Sequence, residues 1–289
     1  MSKILVTGAT GELGKAVVRA LLTRTEAENV IALVRTPEKA DELKTLGVET
    51  REGDYDNFDS LVKAFTGIDK LYFVSGNDLE ARIQQHETVV KAAKEADVKH
   101  VVYTSFARKN ETDSSPIALV AKGHFVAEEA LKASGLTYTI LKHNLYMEVL
   151  PLFFGEQVLE NGIYLPAGEG KTGFVSRLDM AETGAAVLTT EGHENKEYEI
   201  TAAKAYSMQE IADLLSEISG KTVAYTSPSP EEFTETLKGF GLPEPIIGMT
   251  LGFALAIAQD DLDQTSDIVE KLSGKTTTSM KDFLKAVYA

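Results

Sequence analysis

The stretch from Lys3 to Gly14, KILVTGATGELG, constrains the fold of this chain more than any other. Apolar and β-branched side chains run directly into three glycines, and apolar residues then recur at helical spacing as far as Leu22. The pattern predicts a strand, a glycine turn and a helix. Such a turn directs backbone N–H groups and the positive end of the helix dipole at one point, where a pyrophosphate can bind.

The three glycines of this turn have separate expected roles. Gly8 permits the tight turn, Gly11 allows close approach of a phosphate, and Gly14 allows the helix to pack closely on the strand. The residues expected to contact a dinucleotide here are Gly8, Thr10, Gly11, Glu12, Leu13 and Gly14.

Two competing interpretations of the glycine patterns fail. Gly14-Lys15 suggests a phosphate-binding loop of the Walker type, but Ala9 and Ala16 stand where that motif requires a glycine and a Ser or Thr. A second G-x-G-x-x-G pattern spans residues 168–173, but no buried strand precedes it and no helix pattern opens at its end. We expect it to be an ordinary turn.

Short apolar runs alternate with amphipathic segments along the first half of the chain. After the first strand, the predicted strands span residues 29–35, 48–53, 69–75, 99–105 and 136–141. Strands that alternate with helices predict βαβ units and a parallel sheet.

The predicted fold class is therefore α/β, a Rossmann-type doubly wound parallel sheet with a smaller C-terminal α+β lobe. Residues 1–145 are expected to form the NAD(P)-binding domain, and residues 174–201, with a helix and a last strand, are expected to return to it. Residues 146–289 are expected to form mainly a smaller substrate-binding lobe. A chain of 289 residues is long enough to bury the core that this fold requires.

The amino-acid composition limits the kinds of molecule that the chain can bind. The formal net charge of −15 would repel a nucleic acid backbone, and the absence of cysteine excludes disulfides and thiolate metal sites. No spacing of histidines and carboxylates suggests a metal site. The longest uncharged apolar run, 246–258, is too short for a membrane-spanning helix, and the N-terminus shows no secretory signal pattern. We expect a cytoplasmic protein, monomeric or homodimeric, that binds neither nucleic acid nor a membrane.

Arg35 predicts which dinucleotide binds. About 20 residues beyond the glycines of such folds, an Asp or Glu usually holds the ribose hydroxyls, but this chain has Arg35 at the end of its second strand. A guanidinium suits a 2′-phosphate, which it binds by charge-assisted hydrogen bonds. NADPH is therefore expected in preference to NADH. The alternative is a solvated arginine beside Glu38.

The carboxyl ends of the remaining strands predict the rest of the cofactor path, because open α/β sheets bind their ligands there. Asp54 is placed to accept a hydrogen bond from the adenine amino group, and Gly76 leaves room for a ribose. At each position the alternative is an ordinary turn. The residues predicted from these ends are Asp54, Tyr55, Ser75, Gly76, Ser105 and Asn144.

With these motifs the chain resembles the NmrA-like atypical short-chain dehydrogenases, in particular bacterial NAD(P)H:quinone oxidoreductases and triphenylmethane reductases. The resemblance covers essentially the whole chain, and implies an extended dehydrogenase-type sheet, NADPH as cofactor and a pocket between the lobes for a planar acceptor. It rests on TGATGELG, Val34-Arg35, Gly53-Asp54-Tyr55, Phe73 to Gly76, Tyr103-Thr104-Ser105 and GHENKEY at 192–198.

The helix after the fifth strand departs from the pattern of the superfamily. Active members carry Tyr-x-x-x-Lys there, often with a glutamate four residues beyond the lysine. With Glu128 as that glutamate, Val120 stands at the tyrosine position and His124 at the lysine position. The missing proton relay argues against an alcohol dehydrogenase or an epimerase, in which an oxygen gains or loses a proton as hydride moves.

A quinone or a cationic dye can accept hydride without a buried protein acid, since the product oxyanion can take its proton from water. Positioning is then the main contribution of the protein. His124, the one catalytic candidate, is expected to orient the nicotinamide ribose, with an ordinary buried histidine as the alternative. Phe106, Tyr146 and Phe153 are expected to line an aromatic acceptor pocket, with core packing as the alternative.

The leading hypothesis is an NADPH-dependent oxidoreductase that transfers hydride to a quinone or a similar conjugated planar acceptor. The alternative belongs to a different class, a non-catalytic NAD(P)-binding redox sensor of the NmrA type that acts through a protein partner.

Overall fold

The computed structural model describes residues 2–289. The strands within this range are β1 (Ile4–Val6), β2 (Val30–Val34), β3 (Glu49–Glu52), β4 (Lys70–Phe73), β5 (His100–Phe106), β6 (Thr137–His143), β7 (Ile163–Tyr164), β8 (Lys171–Thr172), β9 (Lys196–Ile200), β10 (Tyr206–Ser207) and β11 (Tyr225–Thr226). The α-helices are α1 (Glu12–Leu22), α2 (Asp41–Thr45), α3 (Phe58–Phe65), α4 (Arg82–Glu95), α5 (Ala118–Ser134), α6 (Leu150–Phe154), α7 (Val158–Asn161), α8 (Arg177–Thr189), α9 (Met208–Ser219), α10 (Pro230–Gly239), α11 (Glu244–Ala258), α12 (Ile268–Ser273) and α13 (Met280–Tyr288).

Seven strands form one parallel sheet in the order β3-β2-β1-β4-β5-β6-β9. The chain starts at β1, runs outward through β2 and β3, and returns to the other side of β1 at β4. This reversal of strand order next to β1 is the position where doubly wound folds bind a dinucleotide. The predicted α/β fold class is confirmed.

Helices cover both faces of this sheet. Ile4 and Val6 point to the face that α1 and α8 cover, and Leu5 points to the face of α3, α4 and α5. Because successive side chains of a strand alternate between the two faces, a strand covered on both sides must be apolar throughout. β1 meets this requirement, since all three of its residues are buried.

A separate core lies in the C-terminal half of the chain, where α6, α9, α11 and α13 pack around residues such as Phe233 and Ile257. Two small sheets belong to this region, β8 with β10 and β7 with β11. A capping box fixes the start of α9, because Ser207 Oγ accepts from the Glu210 N–H while the Glu210 carboxylate accepts from the Ser207 N–H. Between α7 and α9 the chain returns to the large sheet, where α8 packs on α1 and β9 pairs with β6.

Two helices differ from what the sequence predicts at their start. Thr36-Pro37 predicts a helix that runs to about Leu46, but the segment begins as a 3₁₀ turn, Pro37–Ala40, before α2. Apolar residues at helical spacing predict a helix from Leu79 to Ala96, but α4 begins only at Arg82. The reason is Asp78, whose Oδ1 accepts hydrogen bonds from the N–H groups of Glu80 and Ala81 and so holds a turn ahead of the helix.

The second glycine pattern has a packing role. A Cβ on Gly170 would lie 1.9 Å from the Ile257 carbonyl oxygen, and one on Gly173 would lie 2.1 Å from Thr201 Oγ1. Strand β8 falls between these two glycines, and no helix begins at Gly173. These glycines therefore let neighbouring backbone approach.

None of the helices in residues 2–289 is both long and apolar enough to cross a membrane. The same residues contain no group of three or more His, Cys, Asp or Glu side chains that could hold a metal ion.

Candidate cofactor and acceptor site

The glycine turn between β1 and α1 leaves the start of α1 open. Gly8 has φ +58°, and its carbonyl oxygen accepts from the Gly11 N–H at 2.9 Å. A Cβ on Gly14 would lie 2.2 Å from that oxygen, so close packing requires glycine there. A Cβ on Gly11 would meet only the Gly8 oxygen, at 3.3 Å, and would otherwise project into open space. No side chain caps α1, which leaves its first N–H groups available to a ligand.

The three other residues predicted at this turn differ in exposure. Glu12 is exposed and Thr10 is half-buried, so both side chains lie at the surface of the turn. The Leu13 side chain is only 7% exposed and packs in the core with Val17. Leu13 can therefore contact a ligand only through its backbone.

Arg35 lies at a cavity beside the ends of β2 and β3. The cavity has a volume of about 510 Å³. Arg51, which also lines it, is already bound to Glu49 at 2.7 Å and to the carbonyl oxygens of Ala64 and Thr66 at 2.7 and 2.9 Å. Arg35 is exposed and forms no ion pair with Glu38 or with any other residue in 2–289. The cavity lining comprises Arg35, Arg51, Glu52, Gly53, Asp54, Asn57, Ser60, Lys63 and Ala64.

Asp54 lies in the same cavity as Arg35. Its backbone N–H donates to Ser60 Oγ at 3.1 Å, and its Oδ1 accepts from the Asp56 N–H at 3.2 Å. The carboxylate keeps further acceptor capacity toward the cavity.

Hydrogen bonds tie the next strand ends together. The Tyr55 hydroxyl donates to the Val74 carbonyl at 2.7 Å, and its ring packs edge-on against Phe73 with centroids 5.6 Å apart. The Ser75 N–H donates to Thr104 Oγ1 at 2.9 Å, and the Gly76 N–H donates to His86 Nε2 at 2.9 Å. The edge of the sheet beyond β4 is therefore held rigidly, with the half-buried Gly76 at its surface.

Ser105 is buried and turned away from the strand edge. Its hydroxyl donates to the Glu128 carboxylate. Arg108 binds the same carboxylate through two hydrogen bonds of 3.0 and 3.1 Å, and also donates to the Phe106 carbonyl at 2.8 Å. This bidentate buried pair fixes the loop after β5 to α5.

The Asn144 side chain has its hydrogen bonds inside the protein. Its Nδ2 donates to the Leu262 carbonyl at 3.0 Å and lies 3.4 Å from Thr201 Oγ1, while its Oδ1 accepts from the Leu145 N–H at 2.7 Å. Asn144 thus ties the end of β6 to the C-terminal part of the chain. Cofactor contact by Asn144 and by Ser105 stays a prediction.

His124 is 6% exposed and lies on the inner face of α5. Its Nδ1 is 2.9 Å from the Tyr103 hydroxyl, and its Nε2 is 3.4 Å from Arg82 Nη1. Burial, followed by the charge of Arg82, holds the pKa of His124 well below its ordinary value. The imidazole is therefore neutral at neutral pH and cannot act there as a general acid.

Sequence reasoning missed the partners of His124. Tyr103 is fully buried, and its hydroxyl also lies 3.3 Å from His86 Nδ1. Burial, with a smaller effect of the Arg82 charge, lowers the pKa of His86 to about 3. The available signal was Arg82 and His86 four residues apart on one helix, which places both side chains on the same face.

The predicted aromatic pocket divides into two places. Phe106 and Phe153 both pack against Phe253, with ring centroids 6.0 and 6.4 Å away. The Phe106 ring also lies 6.0 Å from His124. Tyr146 is elsewhere, with the Arg177 guanidinium 4.4 Å above its ring. Phe253 was missed, because only the tertiary fold brings α11 to the end of β5.

The chain does contain one Tyr-x-x-x-Lys spacing, Tyr138 to Lys142, but it lies on strand β6. Lys142 Nζ is 3.0 Å from the Glu197 carboxylate on neighbouring β9. The spacing therefore does not supply the helical Tyr-Lys pair.

Comparisons with known proteins match the chain along nearly its whole length. A sequence model of the NmrA-like family matches residues 1–284. Quinone oxidoreductase 2 of Escherichia coli K12 is 34% identical over 286 residues, covering 99% of this chain and 98% of that protein. NAD(P)H azoreductase of Xenophilus azovorans is 33% identical over 288 residues, covering 98% of this chain and 97% of that protein.

Solved structures of two reductases also match nearly the whole chain. The NADPH-dependent quinone oxidoreductase of Escherichia coli complexed with NADPH has a TM-score of 0.92 and 34% identity, covering 99% of this chain and 100% of that chain. The triphenylmethane reductase of Citrobacter sp. complexed with NADP(H) has a TM-score of 0.90 and 39% identity, covering 98% of this chain and 99% of that chain.

Proposed function

Because the chain belongs to the NmrA-like family, we propose that it is an NADPH-dependent oxidoreductase that transfers hydride to a quinone or a similar conjugated planar acceptor. The observation that carries the proposal is the open glycine turn at the uncapped start of α1, beside an unpaired Arg35 at the neighbouring cavity. Full-length similarity to reductases whose structures contain NADP(H) supports the same cofactor.

The residues of this chain fit NADPH in the following arrangement. The glycine turn would hold the pyrophosphate, and Arg35 would bind the 2′-phosphate. Asp54 would accept from the adenine amino group, and Gly76 would lie against a ribose. When bound, NADPH supplies a hydride from C4 of its nicotinamide. The protein positions the acceptor against that carbon and excludes water.

The class of hydride acceptor is inferred from the side chains on α5 and at the end of β5. Val120 replaces the tyrosine of the usual relay, and His124 is neutral, so the site has no acid suited to protonating an alkoxide. The aromatic rings of Phe106, Phe153 and Phe253 offer a surface for a planar conjugated molecule.

We expect Arg35→Ala to weaken NADPH binding by roughly 1.5 to 3 kcal/mol, the range for hydrogen bonds to charged groups, and to leave NADH binding nearly unchanged. The reason is that only NADPH carries the 2′-phosphate. Titration of each cofactor by nicotinamide fluorescence measures the effect. Arg19→Ala, which removes an exposed arginine of α1, is the matched control. Equal losses for both cofactors would show that Arg35 does not bind the 2′-phosphate.

We expect kcat with a quinone to be nearly independent of pH between about 6 and 8.5. A histidine of ordinary pKa near 6.5 would titrate in this range, but the pKa of His124 lies well below it. A steady-state pH profile under saturating NADPH measures this. A steep fall through pH 6 to 7 that disappears in His124→Ala would identify His124 as the proton donor.

The function itself is tested by following NADPH absorbance with a panel of quinones, azo dyes and triphenylmethane dyes. Oxidation with at least one of these acceptors is expected. Tight binding that distinguishes NADPH from NADP⁺, with no turnover of any acceptor, would instead favour a redox sensor that acts through a protein partner.

We propose a division of the chain into a cofactor domain, residues 1–145 with 174–201, and a smaller substrate lobe formed mainly by 146–289. The packing of α8 on α1, the pairing of β9 with β6 and the separate C-terminal core support it. We also propose a cytoplasmic location, where NADPH is made and used, and no binding of nucleic acid or membrane. A monomer or homodimer stays a prediction that sedimentation velocity tests.

A further inference from the structure

A buried hydrogen-bonded chain connects the edge of the sheet to α4 and α5. It runs from the Gly76 N–H to His86 Nε2 at 2.9 Å, and from His86 Nδ1 to the Tyr103 hydroxyl at 3.3 Å. It continues from Tyr103 to His124 Nδ1 at 2.9 Å, and ends where His124 Nε2 faces Arg82 Nη1 at 3.4 Å. We call these five groups the histidine chain.

The histidine chain has one hydrogen too many. Gly76 and Arg82 at its ends can only donate, while each neutral imidazole and the tyrosine hydroxyl carries one hydrogen. The groups thus bring five hydrogens to four contacts within the chain. The Gly123 carbonyl also accepts from His86, but the three hydrogens of Tyr103, His124 and Arg82 still meet only two contacts. If Tyr103 accepts from both histidines, its own hydrogen lacks an acceptor. If Tyr103 donates to His124, the imidazole presents an N–H toward Arg82, and two donors face each other.

An acceptor from outside the protein can reach the surplus hydrogen only at the Arg82 end of the histidine chain. Tyr103 is completely buried within β5, so no ligand reaches its hydroxyl. Arg82 is 7% exposed, and its Nε has no partner among residues 2–289. Besides facing His124, Nη1 of Arg82 forms a long hydrogen bond of 3.4 Å to the Val120 carbonyl oxygen. No carboxylate in the described part of the chain lies within ion-pair distance of Arg82, and the charge of Asp78 acts on it only from farther away.

The local sequence is adapted to hold Arg82 in this position. A Cβ on Gly123 would lie 2.6 Å from Arg82 Cδ, so the glycine leaves space for the side chain of Arg82. The guanidinium thereby reaches Val120 and His124, the positions at which the superfamily carries its tyrosine and lysine. Arg82 brings a positive charge to the place where the usual hydroxyl donor is missing.

We propose that Arg82 and His124 Nε2–H form a donor pair for the acceptor oxygen that becomes negative when hydride arrives. This inference rests on the proposed function. An oxygen at this point would accept from both groups, would satisfy the surplus hydrogen of the histidine chain and would bring a negative charge into contact with Arg82. Donors fixed before the reaction stabilise a developing oxyanion without reorganisation.

The chemistry balances without a protein acid. The electron pair of the C4–H bond of NADPH moves with the hydrogen to a neutral quinone, and NADP⁺ forms. The quinone gains one negative charge, which ends on an oxygen at the donor pair, and water later supplies the proton. A cationic triphenylmethane dye accepts the same hydride at its central carbon and becomes neutral, so its reduction creates no oxyanion.

This difference between acceptors gives the test. We expect Arg82→Gln to lower kcat/KM with 1,4-naphthoquinone by about 10²- to 10³-fold, the effect of removing one oxyanion donor. With a cationic triphenylmethane dye, kcat/KM should stay unchanged or rise, because a buried positive charge has been removed. Arg82→Lys should recover part of the quinone activity. The control Lys91→Gln, an exposed change on the same helix, should alter neither rate.

Gly123→Ala tests the same arrangement without removing a charge, because its methyl group displaces the Arg82 side chain. It should give the same selective loss with the quinone. Circular dichroism and NADPH affinity establish that each variant is folded. Equal losses with both acceptors in a folded, NADPH-binding variant, or no loss with the quinone, would overturn the donor pair.

A binding measurement decides the question without turnover. The full-length protein should bind 4-nitrophenol more tightly as the phenol ionises to 4-nitrophenolate, and Arg82→Gln should lose this pH dependence. An affinity independent of ionisation in the unmodified protein would overturn the proposal. If the unmodified protein reduces no acceptor, the proposed function fails, and the nitrophenolate result alone then decides whether the oxyanion site exists.

Discussion

Gly11→Val is expected to abolish NADPH binding in a protein that remains folded. Gly11 has φ −85°, a backbone conformation that valine adopts, and its Cβ would meet only the Gly8 carbonyl oxygen at 3.3 Å. The rest of the valine side chain would fill the space in front of the first N–H groups of α1, where the pyrophosphate must lie. We expect the affinity to fall by at least about 100-fold, or about 2.7 kcal/mol.

Fluorescence titration with NADPH measures this loss, and circular dichroism with thermal unfolding establishes the fold. Gly239→Val is the matched control, because a Cβ there has no atom within 4 Å and the residue lies at the end of α10, away from the glycine turn in the sequence. Gly14→Val is unsuitable, since its Cβ would lie 2.2 Å from the Gly8 oxygen and would disturb the turn itself. Undiminished NADPH binding by Gly11→Val would place the site elsewhere.

Between pH 7.5 and pH 5 we expect the free energy of unfolding to fall by at least about 6 kcal/mol. Burial lowers the pKa of His143 to about 3, burial together with the charge of Arg82 lowers that of His86 to about 3, and burial together with the charge of Lys70 lowers that of His100 to about 4. In the unfolded chain these three histidines titrate near 6.5. Below that pH the unfolded state binds more protons than the folded state, so stability is complete above about pH 6.5 and is lost as pH falls. Each histidine contributes about 1.4 kcal/mol per pH unit, hence about 2 kcal/mol at pH 5.

Urea unfolding at several pH values measures how the free energy of unfolding changes with pH. Measurements above pH 5 limit the contribution of carboxylates, because most carboxylates titrate below that pH. Neither ring nitrogen of His143 has a hydrogen-bond partner within residues 2–289, so His143→Leu removes the titration without breaking a hydrogen bond. That variant should lose about 2 kcal/mol of the pH dependence, the share of one histidine. His193→Asn, a change at a half-exposed histidine, should keep most of it. Constant stability from pH 7.5 to 5 would show that the buried imidazoles take up protons in the folded protein.

The local sequence predicted the conformation of the glycine turn. A glycine turn is a local structure, and its conformation depends on a few consecutive residues whose steric requirements can be read directly from the chain. The structure places Gly8 at positive φ, leaves Gly11 open and packs Gly14 on the turn, as these requirements dictate. Arg35 follows from the same logic, because the end of the second strand always lies beside the turn in this topology.

The residues expected to bind the hydride acceptor could not be predicted from local sequence in the same way. They come from five different elements, α4, β5, α5, α6 and α11, and the contacts between them join residues distant in sequence. Tyr103 meets His86 and His124 across 17 and 21 positions, and Phe253 reaches Phe106 from α11. Residue type and spacing do not say which of two possible neighbours a buried side chain will contact. Tyr146 illustrates this, since nothing near it in sequence indicates that the Arg177 guanidinium lies over its ring.

By itself the sequence determined the α/β class, the strand and helix order, the dinucleotide turn and the absence of the tyrosine relay. Each depends on hydrophobic periodicity, on glycine sterics or on the residue at a counted position, all of which are local. Only the tertiary structure decided that Arg82 is buried without an ion-pair partner among the described residues and that an N–H or O–H of the histidine chain lacks an acceptor. Burial and hydrogen-bond partners are set by elements that meet only after the chain has folded. The charges and hydrogen-bond donors around Arg82 and His124 could therefore be identified only from the folded structure.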